Sequence, residues 1–159
     1  MSASAGTRPR AFGAIVYGGL AVGVLDLMDA MIFFGIRNGV KPIRILQSIA
    51  TGLLGRASYS GGLKTALLGL FLHFLIAFIM AAVFYGASMV LPTLIRHAVI
   101  AGLLYGVAAY FVMNWVVLPL SKAATGPIPW PIFLNGVIGH ALLVGLPIAL
   151  LARRSAKAG

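Results

Sequence analysis

Residues 12–36 read FGAIVYGGLAVGVLDLMDAMIFFGI, from Phe12 to Ile36. Apart from two aspartates, nothing in this stretch carries charge. A helix rises about 1.5 Å per residue, so about 20 apolar residues cross the roughly 30 Å hydrocarbon core of a bilayer. Lipid offers no hydrogen bonds, so a backbone inside it must satisfy its own polar groups, and a helix does that. The run therefore predicts a first transmembrane span. Its two exceptions, Asp26 and Asp29, are the only acidic residues in the chain.

The same pattern recurs downstream. Residues 63–91, closed by Pro92, predict a second span and residues 97–120 a third. Residues 131–151, closed by Arg153 and Arg154, predict a fourth. Composition agrees. The chain has 159 residues, 61% apolar and 9% charged, with mean hydropathy +1.05. Soluble domains carry about a quarter charged residues, so this chain has too few to face water. The expected fold is an all-α membrane protein, a four-transmembrane-helix bundle forming a single integral domain over 1–159. A signal-peptide reading of residues 8–30 fails because the apolar run continues too long, so the segment is expected to remain in the mature protein.

Between spans one and two, residues 42–58 read PIRILQSIATGLLGRAS. Ile45, Leu46, Ile49 and Leu53 recur at helical spacing, with Arg44, Gln47, Ser48, Thr51 and Arg56 on the remaining faces. Pro42 suits a first helical turn. The segment is short for a span, which points to an amphipathic helix in the interface, with Arg44 and Arg56 toward the headgroups. Gly52 and Gly55 leave a re-entrant hairpin as the alternative. Between spans three and four, Pro127, Pro129 and Pro131 stiffen an extended connector. Trp130 there belongs at headgroup level. Trp115 belongs there too if span three tilts, and otherwise packs inside.

Twelve Lys and Arg against two Asp give a net charge of +10. The basic residues flank apolar runs, a pattern that suits anionic lipid headgroups and argues against nucleic acid. Arg8, Arg10, Arg96, Arg153, Arg154 and Lys157 fall on one side of the membrane. Arg37, Lys41, Arg44, Arg56, Lys64 and Lys122 fall on the other. The positive-inside count is a tie, and the short charged tails favour cytoplasmic termini. Cysteine is absent, which excludes disulfides, thiolate nucleophiles and Cys-ligated metal. No cofactor motif is present and none is expected.

A weak internal repeat runs through the chain. GGLAVGV (18–24) resembles AGLLYGV (101–107), each with a GxxxG: Gly19 and Gly23, Gly102 and Gly106. LGLFLHFL (68–75) resembles NGVIGHAL (135–142), each with a GxxxH ending at His73 or His140. Spans one and three would correspond, as would two and four, giving a parallel two-helix repeat. Chance is the competing explanation, since membrane segments draw on few residue types. Close-packing GxxxG motifs predict that spans one and three cross at these glycines.

Ionisable groups inside a membrane are costly and mark functional sites by default. Here they are Asp26, Asp29, His73 and His140, with Asn114 as an uncharged companion. Counted at helical rise, the acids lie roughly 20–25 Å from the N-terminal face, the histidines about 12 Å and Asn114 roughly 6 Å from the opposite one. The five residues are expected in one polar layer drawn from four helices. Three readings compete: a hydrogen-bonded network that fixes helix register, a proton or cation site, and an enzyme active site. The last is weakest, since neither an HExxH spacing nor an activated nucleophile is present. Metal binding stays open at this stage. Asp29 could instead pair with Arg37, two turns on. His97 beside Arg96 reads as interfacial, and the methionines as core filler.

In the second half, His73, Tyr85, Pro92, Gly102, Gly106, Pro119, Pro131, the Gly139–His140 pair and the closing Arg153–Arg154 follow a characteristic order. That order, over about residues 70–154, resembles small uncharacterised bacterial inner-membrane proteins of the YagU type. The resemblance implies a bacterial plasma-membrane location and carries no biochemical activity with it. Span one departs from that pattern in holding Asp26 and Asp29. Taken together, the residues point to a small channel- or transporter-like protein with a proton- or cation-responsive layer. The alternative is a non-transporting structural or accessory subunit. A chain this small has little room for a solute path, so a homo-oligomer is expected.

Overall fold

The computed structural model describes residues 10–157. Arg8, counted above among the basic tail residues, lies outside them. Among the described residues every regular element is a helix. Span one is α1 (Gly13–Asn38), span two α3 (Gly62–Val90), span three α5 (Ala98–Leu120) and span four α6 (Trp130–Lys157). All four are long and apolar enough to cross a membrane, as a multi-pass membrane fold requires. Two shorter α-helices lie between them among the described residues, α2 (Pro42–Leu54) and α4 (Thr93–Arg96). Span four outruns its predicted end, because Arg153 and Arg154 sit within the last helical turns.

Local chemistry sets the boundaries. Gly39 closes α1 in the left-handed conformation at φ 64°, its N–H donating to Gly35 O while Val40 N–H donates to Phe34 O. Pro42 occupies the first turn of α2, where its missing N–H costs nothing. Gly55 ends α2 at φ 60°, and a tight 3-10 turn over Gly55–Ser60 leads into α3. In spans three and four, wide π-type turns at Met113–Val117 and His140–Gly145 each precede a Leu-Pro pair. Proline lacks an N–H and its ring presses on the carbonyl four residues back, a conflict that a wider turn accommodates.

The expected crossing of spans one and three is not made. Gly19 and Gly23 instead lie under the rings of Phe78 and Phe74 on span two, and Gly102 and Gly106 face Gly145, Ala149, His140 and Ala141 on span four. A GxxxG stripe permits close approach but does not choose the partner, and here each stripe packs on the next span in the chain. The repeat itself shows in this packing. Gly23 meets Phe74, the residue after His73, and Gly106 meets Ala141, the residue after His140. Gly19 meets Phe78, and Gly102 meets Gly145 at the matching position. The two halves pack through equivalent pairs of positions.

Spans one and four join the two pairs. A core of small residues holds one end of the bundle, with Ala14, Ala81, Ala98, Ile148, Ala149 and Ala152 almost fully buried around Phe84. There spans two and three also meet: the Tyr105 hydroxyl donates to Met80 O at 2.7 Å, and its ring packs edge-on against Phe84 at 5.2 Å. Toward the opposite end these two spans diverge, and α2 fills the gap between them. Gly69 of span two admits the backbone of Leu46 and Ala50, and Lys122 N–H at the end of span three donates to Gly52 O at 2.9 Å.

One residue of α2 reverses its expected role. Gln47, assigned by periodicity to the polar side, is 3% exposed. Its side-chain amide donates to Gly62 O at 3.0 Å, and its backbone carbonyl accepts from the Ser58 hydroxyl at 2.9 Å. The side chain ties α2 to the start of span two, and the backbone bond ties it to the turn between them. Trp115 lies outside the bundle, 71% exposed and tilted against Phe111, and Trp130 is 66% exposed over Phe133.

Candidate functional site

Because spans two and three separate, a cavity of about 680 Å³ opens between them. Spans one and four form its back wall and α2 its floor. Asp26 reaches it from span one, His73 from span two and His140 from span four. His140 begins the wide turn of its helix, which follows Gly139. Asp26 Oδ1 and His140 Nδ1 stand 3.9 Å apart, both side chains about three-quarters or more buried. That is beyond direct hydrogen-bond length but within ion-pair reach when the imidazole is protonated. His73 Nε2 lies 2.9 Å from Gly23 O, where span one's missing side chain exposes the backbone.

The other two layer residues stand apart from the cavity. Asp29 faces span four, where Asn135 Nδ2 donates to its Oδ2 at 2.8 Å and Gly139 lies against the carboxylate. That contact replaces the alternative pairing with Arg37. Asn114 turns back on its own helix and donates to Tyr110 O at 2.9 Å. It is therefore not a cross-helix member of the layer. An asparagine one turn below a carbonyl satisfies itself locally, which depth along the membrane cannot reveal.

Asn135 is not among the five residues the sequence assigns to the layer, although it opens the repeat segment 135–142. Two signals were present. It is an asparagine inside an apolar run, like Asn114. It also lies one turn before Gly139, on the stripe that leads to His140. Tyr110 is a second missed residue. Its ring fills the space over Gly136 and packs edge-on to His140 at 5.4 Å, with its buried hydroxyl unpartnered.

The layer is thus two contacts between spans one and four, Asp26–His140 and Asp29–Asn135, with His73 across the cavity. Among the described residues no three His, Asp or Glu side chains converge as a metal site would require. On the floor, Arg44 of α2 donates from Nη1 to Tyr59 O at 3.2 Å and lies over the Tyr59 ring at 5.3 Å. It lines the cavity as well as its outer surface. Arg56 is exposed on the turn that follows α2.

Comparison with protein-family models, with curated proteins and with solved structures finds no match to this chain. The resemblance to the YagU type accordingly rests on the sequence.

Proposed function

We propose that the chain is a small transporter-like membrane protein that responds to protons through the Asp26–His140 pair. One observation carries this reading. A carboxylate and an imidazole from different spans oppose each other at 3.9 Å on the wall of a cavity shared by all four spans. Histidine is the side chain whose charge changes most readily near neutral pH. A proton on His140 makes the pair attractive and draws spans one and four together. A proton on Asp26 removes that attraction. Loading and unloading the pair would therefore bias how the back wall of the cavity closes.

A second reading has its own support. The bonds of Asp29 to Asn135 and of His73 to Gly23 O fix helix register without needing any traffic, as an accessory subunit would require. The basic residues at both ends support contact with anionic headgroups. We also assign the chain to a bacterial plasma membrane with cytoplasmic termini, on its resemblance to YagU-type proteins and its short charged tails. Its small size supports a homo-oligomer.

Proteoliposomes holding a pH-sensitive dye test the proton reading. An imposed pH gradient should collapse faster with wild-type protein than in empty vesicles. Asp26→Asn and His140→Gln should return the rate to that of empty vesicles, while Asp29→Asn keeps most of it. Gradient collapse unchanged in both cavity variants sinks the proposal. A wild-type protein without flux that copurifies with another membrane complex establishes the accessory reading instead.

A further inference from the structure

Most of the cavity wall is apolar. Phe34, Ile49, Ile76, Met80, Val117 and Val144 face it from five different helices. Its volume of about 680 Å³ falls inside the range of small-ligand pockets, roughly 300–1,000 Å³. The polar groups on the lining are Asp26, His73 and His140 on the span walls and Arg44 on the floor, with the hydroxyls of Ser48, Thr51, Tyr59 and Ser121 set among the apolar residues. Asp26 and His140 occupy the inner wall and already face each other. Arg44 stands on the floor, exposed, with one guanidinium nitrogen donating to Tyr59 O. A guanidinium has five N–H donors, so this bond leaves others free for a planar anion.

The surroundings of Arg44 have one sign. Arg37, Lys41, Arg56, Lys64 and Lys122 lie on the segments at this end of the bundle, and the chain's only two acids lie inside span one. A one-signed rim attracts anions and repels cations before any contact forms. Such a rim, a free guanidinium fork and a long apolar wall together describe a molecule with an anionic head and a hydrocarbon tail.

We infer that the cavity binds a single-chain anionic amphiphile, a long-chain carboxylate, with its head on Arg44 and its chain along the apolar walls toward Asp26 and His140. This deepens the transporter reading by naming the class of cargo, and it rests on that reading only for the word cargo. Binding itself requires no proton movement.

The test is equilibrium displacement of a fluorescent polyene fatty acid from the full chain in nanodiscs of zwitterionic lipid. Palmitate, hexadecanol and hexadecylamine serve as competitors of matched chain. Palmitate should displace the probe about tenfold better than the alcohol or the amine, the margin expected of a charge-assisted hydrogen bond. Arg44→Gln should erase that margin and leave hexadecanol unchanged, while Arg44→Lys retains part of it. Val117→Trp, which fills the cavity from a wall position, should weaken all three competitors. Equal potency of palmitate and hexadecanol in the wild type overturns the inference, as does an unchanged margin in Arg44→Gln. Stronger displacement by the amine assigns the pocket to cations at Asp26 and also overturns it. Displacement by two-chain phosphatidylglycerol with no preference for palmitate makes the occupant a bilayer lipid, a third overturning result. Gel filtration of each variant confirms that it is folded. Palmitate binding without proton flux breaks the proton reading alone, and proton flux without palmitate binding breaks the cargo assignment alone.

Discussion

Spans one and two form one helix pair, spans three and four another, and equivalent glycines serve both. The difference lies in what those glycines meet. In the first pair Gly19 and Gly23 receive the rings of Phe78 and Phe74. In the second, Gly102 and Gly106 receive backbone, the carbonyls of Gly145 and His140 among it. Phenyl rings hold helix axes apart, whereas backbone against backbone brings them as close as helices come. One pair is therefore rigid and the other has side chains that can yield. The cavity lies where the two pairs part, and His140 belongs to the rigid one.

Equal substitutions in the two pairs should have unequal costs. Gly106→Ala puts a methyl group into the carbonyl of His140 and the backbone of Ala141, neither of which a rotamer change can move. The expected loss is about 3 kcal/mol, read as a fall in melting temperature and in yield of monodisperse protein in detergent. A melting temperature within a degree or two of the wild type would show that the second pair is not the rigid one. Asn135→Ala comes next, because it removes the donor to Asp29 that ties the pairs together. Hydrogen bonds to charged groups contribute about 1.5–3 kcal/mol, and partial exposure places this one at about 1.5. In the double variant Asn135→Ala, Asp29→Ala part of that loss should return, and a purely additive cycle would deny the contact.

Gly23→Ala is the counterpart of the first substitution. Its methyl meets the edge of Phe74, which can rotate, so the expected cost is about 1 kcal/mol. Equal losses at Gly23 and Gly106 would erase the distinction between the pairs. The smallest effect belongs to Asn114→Ala. Its bond runs to its own helix, and the change should stay within about 0.5 kcal/mol in thermal unfolding. A large loss there would restore Asn114 to the cross-helix layer.

The architecture was legible because lipid imposes a length and a backbone rule that apolar runs satisfy or fail. The apolar runs lie close to the limits of the first three spans, whereas span four continues past its run to Lys157, and α2 begins at Pro42. Which helices touch was not legible from Gly19, Gly23, Gly102 and Gly106, because small residues advertise a surface without naming its partner. Depth placed Asp26 and His140 at one level and the structure brings them together. Depth also admitted Asn114, since it has no angular content and cannot tell a bond across helices from one within. Gln47 escaped for a related reason. Periodicity sorts residues by polarity, and a buried amide that bonds a neighbouring helix end looks like one that faces water.

The wide turn of span four alters the phase of that helix. After Gly139 the next buried position is Val144, five residues on, and one buried stripe then runs through Ile148, Ala152 and Ala156 in steps of four, with Gly145 and Ala149 buried beside it. One additional residue rotates everything beyond it by about 100°. A stripe drawn from Asn135 through Gly139 would continue to Leu143, which is not among the fully buried residues. The two halves of span four therefore answer to different clocks. Substitutions scanned along it should show two separate four-residue rhythms of sensitivity, out of step by one residue, with the break immediately after the histidine that faces Asp26.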